Sequence, residues 1–163
     1  MARKPNFARL AEVLTFDPIS GHFSWRVALA RSCPAGSRAG CITNDRYVCI
    51  TVDGAKFLAH RLAWRFTFDA WPSKFIDHID GNRGNNRPSN LRNTSKQINA
   101  QNRKVAHRGS ASGVLGVRRS LNRWTARINI TGKDIHLGSF DTPELAHAAY
   151  VLAKRLHHEG CTI

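Results

Sequence analysis

The rhythm of hydrophobic and polar positions changes several times along the 163 residues. A short helical stretch from Leu10 gives way at Asp17-Pro18 and Ser20-Gly21, two pairs of turn formers. Phe23 and Trp25 then alternate with polar neighbours, as on a strand with one buried face. A loop of small residues spans 32–40. Tyr47 to Ala59 predicts a hairpin about Asp53-Gly54, a pair suited to a two-residue turn at positive φ. Helical spacing returns over His60–Phe68, with Leu62, Ala63 and Phe66 inward and Trp71-Pro72 as the stop. The next segment is crowded with Gly and Asn, has no period, and reads as irregular or tightly turned. Ser95 then predicts the cap of a helix with Ile98 and Asn99 near its first turn.

The composition of 107–111 is that of a linker, so the chain is expected to divide into 1–106, a linker at 107–111, and 112–163. Beyond it, 114–119, 123–131 and 134–140 read as three strands, with turns at Leu121-Asn122 and Gly132-Lys133. A helix follows, capped by Thr142 with Pro143 in its first position. Leu145, Ala148, Ala149, Leu152 and Leu156 recur at helical spacing and predict its buried face. The whole reads as α+β.

Charge changes this picture more than composition does. Hydrophobic residues make up 42%, enough to fold, but 25 Lys and Arg face 11 Asp and Glu, a net +14. Such an excess points to a polyanion, nucleic acid or an anionic membrane. No apolar run is long enough to span a bilayer, so no membrane role is expected. Met1-Ala-Arg-Lys-Pro-Asn-Phe lacks the apolar core of a secretion signal, so a cytoplasmic protein is expected. The excess is densest between residues 61 and 110, with 10 basic and 3 acidic side chains. Cysteines 33, 41, 49 and 161 show no two-residue gap of a zinc knuckle or redox pair, and are expected as reduced thiols.

Candidate chemistry sits inside that basic segment. Asp77-His78 supplies a metal ligand and a proton acceptor from adjacent positions; Asn90 follows twelve residues after His78 and Asn99 nine after Asn90. Hydrolysing a phosphodiester with one divalent cation needs little more. A calcium-binding helix–loop–helix is excluded, because Gly81 and Gly84 would put Ile76 and Ile79 at its acidic first position.

The string His60-Arg61, Asp77-His78-Ile-Asp-Gly-Asn, Asn85-Asn86-Arg, Asn90-Leu-Arg and Asn99, between about Gly40 and Arg103, resembles the HNH endonuclease family. More narrowly it is similar to the phage and mobile-element branch, homing endonucleases among them, in which asparagine replaces the last histidine. The resemblance implies a ββα-metal core after N-terminal hairpins, built around one Mg²⁺ or Mn²⁺. It implies Asp77 and Asn99 as metal ligands, His78 as general base and Asn90 as the residue holding the loop. His60 would be supporting, and Arg83, Arg87 and Arg92 are candidate phosphate contacts. Asn-type relatives include nicking enzymes, so one-strand and two-strand cleavage both stay open.

A second string, Gly116-Val-Arg-Arg, Arg123-Trp-Thr-Ala-Arg-Ile and His136-Leu-Gly-Ser-Phe-Asp-Thr-Pro-Glu, resembles the APETALA-type (ethylene-response-factor) DNA-binding domain over about 112–158. This implies a three-stranded antiparallel sheet packed on one helix, with the sheet in the major groove. Strand alternation puts Arg118, Arg123, Arg127, Asn129 and His136 on the DNA-facing side. Arg127, Asn129 and His136 stand where the plant domains carry an acid, an arginine and a tryptophan, so their sequence preference is not transferred. The expected partner is double-stranded DNA, with no obligate protein partner evident. The alternatives are a non-cutting DNA-binding regulator on an inert HNH scaffold and an RNA-directed protein.

Overall fold

The computed structural model describes residues 6–107 and 109–163. Residues 1–5, where the targeting signal was sought, and Arg108 of the expected linker lie outside the described residues.

The chain divides into two compact units at Thr94/Ser95. In the first, α1 (Phe7–Val13) is capped by Asn6, whose side chain accepts from Arg9 N. It runs into a hairpin of β1 (Leu14–Asp17) and β2 (His22–Trp25), where the hydrophobic pattern had shown only one strand. The Asp17 carboxylate accepts from the N–H groups of Ile19 and Ser20 and so shapes the turn. A three-stranded antiparallel sheet follows: β3 (Cys41–Ile42), β4 (Val48–Val52) and β5 (Ala55–Leu58), in the order β3-β4-β5. Its β4–β5 turn has Asp53 at φ 47° and Gly54 at φ 78°, the double positive φ that Asp-Gly tolerates.

The helix α2 (Ala59–Phe68) buries Ala59, His60, Leu62 and Ala63, and ends at Asp69 in the left-handed conformation. Phe23 stacks on Phe16 with centroids 4.6 Å apart and meets Phe66 of α2 edge-on at 5.3 Å, joining the hairpin to the helix. Leu10, Val13, Ile50, Val52, Leu62, Ile76 and Leu91 complete this core. The segment expected to be irregular is partly regular. Phe75–His78 forms β6, paired antiparallel with β7 (Leu91–Thr94) around a loop that ends in one turn of 3-10 helix, Pro88–Asn90. Only four residues lie in each strand, too few for a period to emerge from the polar background.

In the second unit, α3 (Lys96–Gln101) starts at the expected cap, Ser95 Oγ accepting from Ile98 N at 3.2 Å. The linker expected at 107–111 falls inside this unit. β8 (Val117–Ser120), β9 (Arg123–Ile130) and β10 (Lys133–Phe140) form an antiparallel sheet in the order β10-β9-β8, and α4 (Pro143–His157) packs on it. Lys133 pairs with Ile130, so the second turn is Thr131-Gly132, one residue earlier than the expected Gly132-Lys133.

One expectation holds for Ala149, which packs half-buried against the core, and fails for the leucines. The buried side of α4 is Ala146, Tyr150, Ala153 and Lys154, while Leu145, Leu152 and Leu156 are 55%, 62% and 79% exposed. Small side chains let the helix lie close to the sheet, and Tyr150 supplies the bulk: a Cβ on Gly116 would sit 2.1 Å from its ring. Leucines and alanines share the helical period here, and packing distance rather than hydrophobicity chose between the faces.

Candidate active site

The β6–β7 register puts Asp77 opposite Arg92 and His78 opposite Leu91. Asp77 and His78 are 5% and 4% exposed, an unusual depth for ionisable groups. Asp77 Oδ2 accepts from Arg92 Nε at 2.8 Å and from a terminal guanidinium nitrogen at 2.7 Å, so the buried carboxylate is charge-compensated from the neighbouring strand.

Between the strands the loop closes on itself through short polar side chains. Ile79 N donates to Asn90 O and Gly81 N to His78 O, at 2.9 and 2.8 Å. Asn90 bonds in both directions: Nδ2 donates to Asp80 Oδ1 and to Asn85 O, each at 2.9 Å, and Oδ1 accepts from Asp80 N at 3.0 Å. Asn85 Nδ2 reaches Asp80 Oδ2 at 2.7 Å. Partial burial opposes the charge of Asp80, but the bonds from Asn85, Asn82 N–H and Asn90 outweigh it and hold the carboxyl below its usual range. Asp80 is the knot of this loop.

The imidazole of His78 is held by a residue that sequence reasoning left without a role. Asn86, 2% exposed, offers Oδ1 to His78 Nε2 at 3.1 Å. Its Nδ2 points at Gly84 O at 3.5 Å, which orients the amide with its oxygen toward the ring. An oxygen at Nε2 selects the tautomer with hydrogen there and leaves the basic lone pair on Nδ1. Burial pushes the His78 pKa down, against smaller upward pulls from Asn86, Asp80 and Asp77. The ring is therefore neutral at pH 7, as a proton acceptor must be.

His60, at the start of α2, meets His78 edge-on with centroids 5.2 Å apart, and Tyr47 lies 5.2 Å from His60. Burial, and then the nearby His78 and Arg61, push its pKa down to about 3. His60 Nδ1 is buried with no hydrogen-bond partner among the described residues. Arg83 lies over the Tyr47 ring at 4.7 Å and donates to Asp45 O at 3.0 Å. Tyr47 comes from the strand region before β4; a contact across 31 residues to His78 leaves no local mark in a sequence.

The remaining candidates scatter. Arg87 Nε donates to Ile19 O at 2.7 Å, tying the loop to the first hairpin, and Arg92 is engaged with Asp77. Asn99 is half-buried on α3, in the second unit. On the exposed side of the second sheet, Arg118 is across from Thr125 and Arg127 across from His136. Arg127 Nε also pairs with Asp134 at 2.8 Å and Arg123 with Asp141 at 3.1 Å. Asn129 Oδ1 accepts from Gly132 N at 3.1 Å and is spent on the turn.

Among the described residues no group of three or more His, Cys, Asp or Glu could hold a metal ion, and no helix is long and apolar enough to cross a membrane. A carboxylate such as that of Asp77 is a hard oxygen donor of the kind that suits Mg²⁺ or Mn²⁺. The four cysteines are free thiols.

Residues 57–101 match a family described as HNH endonuclease. The match takes in His60, Asp77, His78, Asn86, Asn90 and Asn99, supports membership of this segment in the HNH family, and suggests a nuclease. It stops before the second sheet. No curated protein and no solved structure matches the chain.

Proposed function

We propose that the chain is a metal-dependent endonuclease that hydrolyses phosphodiester bonds of double-stranded DNA. The observation that carries this reading is the buried His78, held at Nε2 by Asn86 and directly following the carboxylate of Asp77.

In this reading His78 Nδ1 takes a proton from a water molecule, whose oxygen attacks phosphorus while the O–P bond to the leaving deoxyribose oxygen breaks and that oxygen takes up a proton from solvent. Asn86 keeps the ring in the tautomer that can accept. Asn90 and Asp80 hold the loop so that Asn86 and His78 stay in register. Asp77 and Asn99 are the residues that would hold Mg²⁺ or Mn²⁺, and when bound the cation would supply charge stabilisation at the scissile phosphate. Arg92 is a partner of Asp77 first; any phosphate contact it makes comes in exchange for that pair. Arg83, poised on Tyr47 near His78, is the better candidate for meeting the DNA backbone. Arg118, Arg123, Arg127 and His136 are the second sheet's candidate contacts to DNA, on strands paired side by side. The net +14 supports a polyanion as the substrate.

The test is conversion of supercoiled plasmid in Mg²⁺, with an EDTA control and His78→Ala. Nicked or linear product that both controls abolish is expected. No product across several divalent cations would overturn the enzyme reading and favour a DNA-binding role alone.

A further inference from the structure

The helix α3 has six residues, too few to persist by its own hydrogen bonds in water. What holds it comes from the far end of the chain. Gly160 N donates to Gln101 Oε1 at 3.1 Å, Thr162 Oγ1 to Asn102 Oδ1 at 2.6 Å, and Lys104 Nζ to Thr162 O at 3.4 Å. Lys154 of α4, 1% exposed, donates Nζ to Arg103 O just beyond the helix. The approach is so close that a Cβ on Gly160 would lie 2.3 Å from Ile98 O and 2.9 Å from Gln101 Cβ.

The tail is itself tied to the sheet unit. Cys161 N donates to His158 O at 2.9 Å, Arg155 Nε to Ile163 O at 2.9 Å, and His158 Nε2 bonds Asn129 O of β9 at 2.8 Å. Every link in this path lies in the second unit. A continuous set of bonds therefore runs from β9 through His158 and the tail to the helix that carries Asn99.

We propose that the C-terminal tail, Gly160 to Thr162, is a positioning element that holds α3 and fixes how it presents Asn99. The proposal rests on the nuclease reading and on Asn99 as a metal-holding residue. Metal affinity is sensitive to the groups that hold a ligand in place, typically by tenfold or more.

The experiment compares wild type with Gly160→Val, Thr162→Val and Thr162→Ser. Three quantities are read: hydrogen exchange of the Ile98, Asn99 and Asn102 amides, the Mg²⁺ concentration for half-maximal plasmid cleavage, and duplex affinity in EDTA. Both valine variants should lose protection in α3 and raise the Mg²⁺ requirement by about tenfold. Duplex affinity should stay within about twofold, because no phosphate contact is removed. Thr162→Ser keeps the hydroxyl and should restore both readouts. An unchanged Mg²⁺ requirement in Thr162→Val, with α3 protection also unchanged, overturns the proposal even if Gly160→Val fails to fold. If wild type cuts no DNA, the nuclease reading fails instead, and the exchange data still decide whether the tail holds α3.

Discussion

At the residue scale, His78 is set up by neutral amides rather than by charge. Asp77, its neighbour, is compensated by Arg92, while Asn86 fixes the imidazole at Nε2 and burial pushes its pKa down against the upward pull of that same bond. The dipeptide and the two later asparagines could be read from the string because they lie close in sequence. Asn86 was visible in the same string but without a role, since Asn85 and Asn86 differ only in where the loop points them. His60 offers a stability test. Its folded pKa of about 3 lies below the ordinary histidine value of 6.5, so between the two the unfolded chain binds the extra proton. This contribution to stability is complete above about pH 6.5 and is lost as pH falls toward 3, at roughly 1.4 kcal/mol per pH unit. Urea unfolding of wild type between pH 7 and 5 should show that loss, and His60→Phe should flatten it. Parallel curves for the two proteins would contradict the account of His60.

At the element scale, local chemistry was the most legible. Asp53-Gly54, Ser95, and Thr142 with Pro143 announced a turn and two helix starts because each acts through its own neighbouring backbone. The faces of α4 were not legible, because alanine and leucine follow one period and the sheet selected the smaller residue. β6 and β7 were hidden because their four-residue strands are dominated by site residues rather than by an apolar alternation. The first hairpin matters for what it touches. Gly21 sits at φ 75°, and a Cβ there would lie 2.5 Å from Arg87 N and 2.8 Å from Asn86 C, at the root of the side chain that holds His78. Gly21→Ala should destabilise the first unit by about 2 kcal/mol through the left-handed backbone and the overlap. It should also slow cleavage more than it weakens DNA binding, since Asn86 must shift. Chemical denaturation and single-turnover cleavage check the two halves, and a variant with native stability and rate would show that the close approach is not needed.

At the scale of the whole molecule, the charge excess was plain from composition, but where it is usable required the structure. Several basic side chains among the candidate DNA contacts are already engaged: Arg123 with Asp141, Arg127 with Asp134, Arg87 with a carbonyl. Arg118 has no ion-pair partner among the described residues. Duplex affinity should fall steeply with salt, and Arg118→Ala should reduce the log–log slope by about 1. Arg123→Ala should change it less, because the substitution also frees an acid. Equal effects from the two would mean that the surface pairs carry no weight. The bonds that tie α3 to the tail come from Gly160 and Thr162, some 60 residues away, and leave no local mark in the sequence.

In the proposed reaction the His78 imidazole takes the proton from the attacking water. The most direct measurement is single-turnover DNA cleavage by His78→Gly in Mg²⁺ with increasing free imidazole. The account predicts negligible cleavage without imidazole and a rate that climbs with the concentration of its neutral form. Cleavage by His78→Gly at the wild-type rate without imidazole would contradict it.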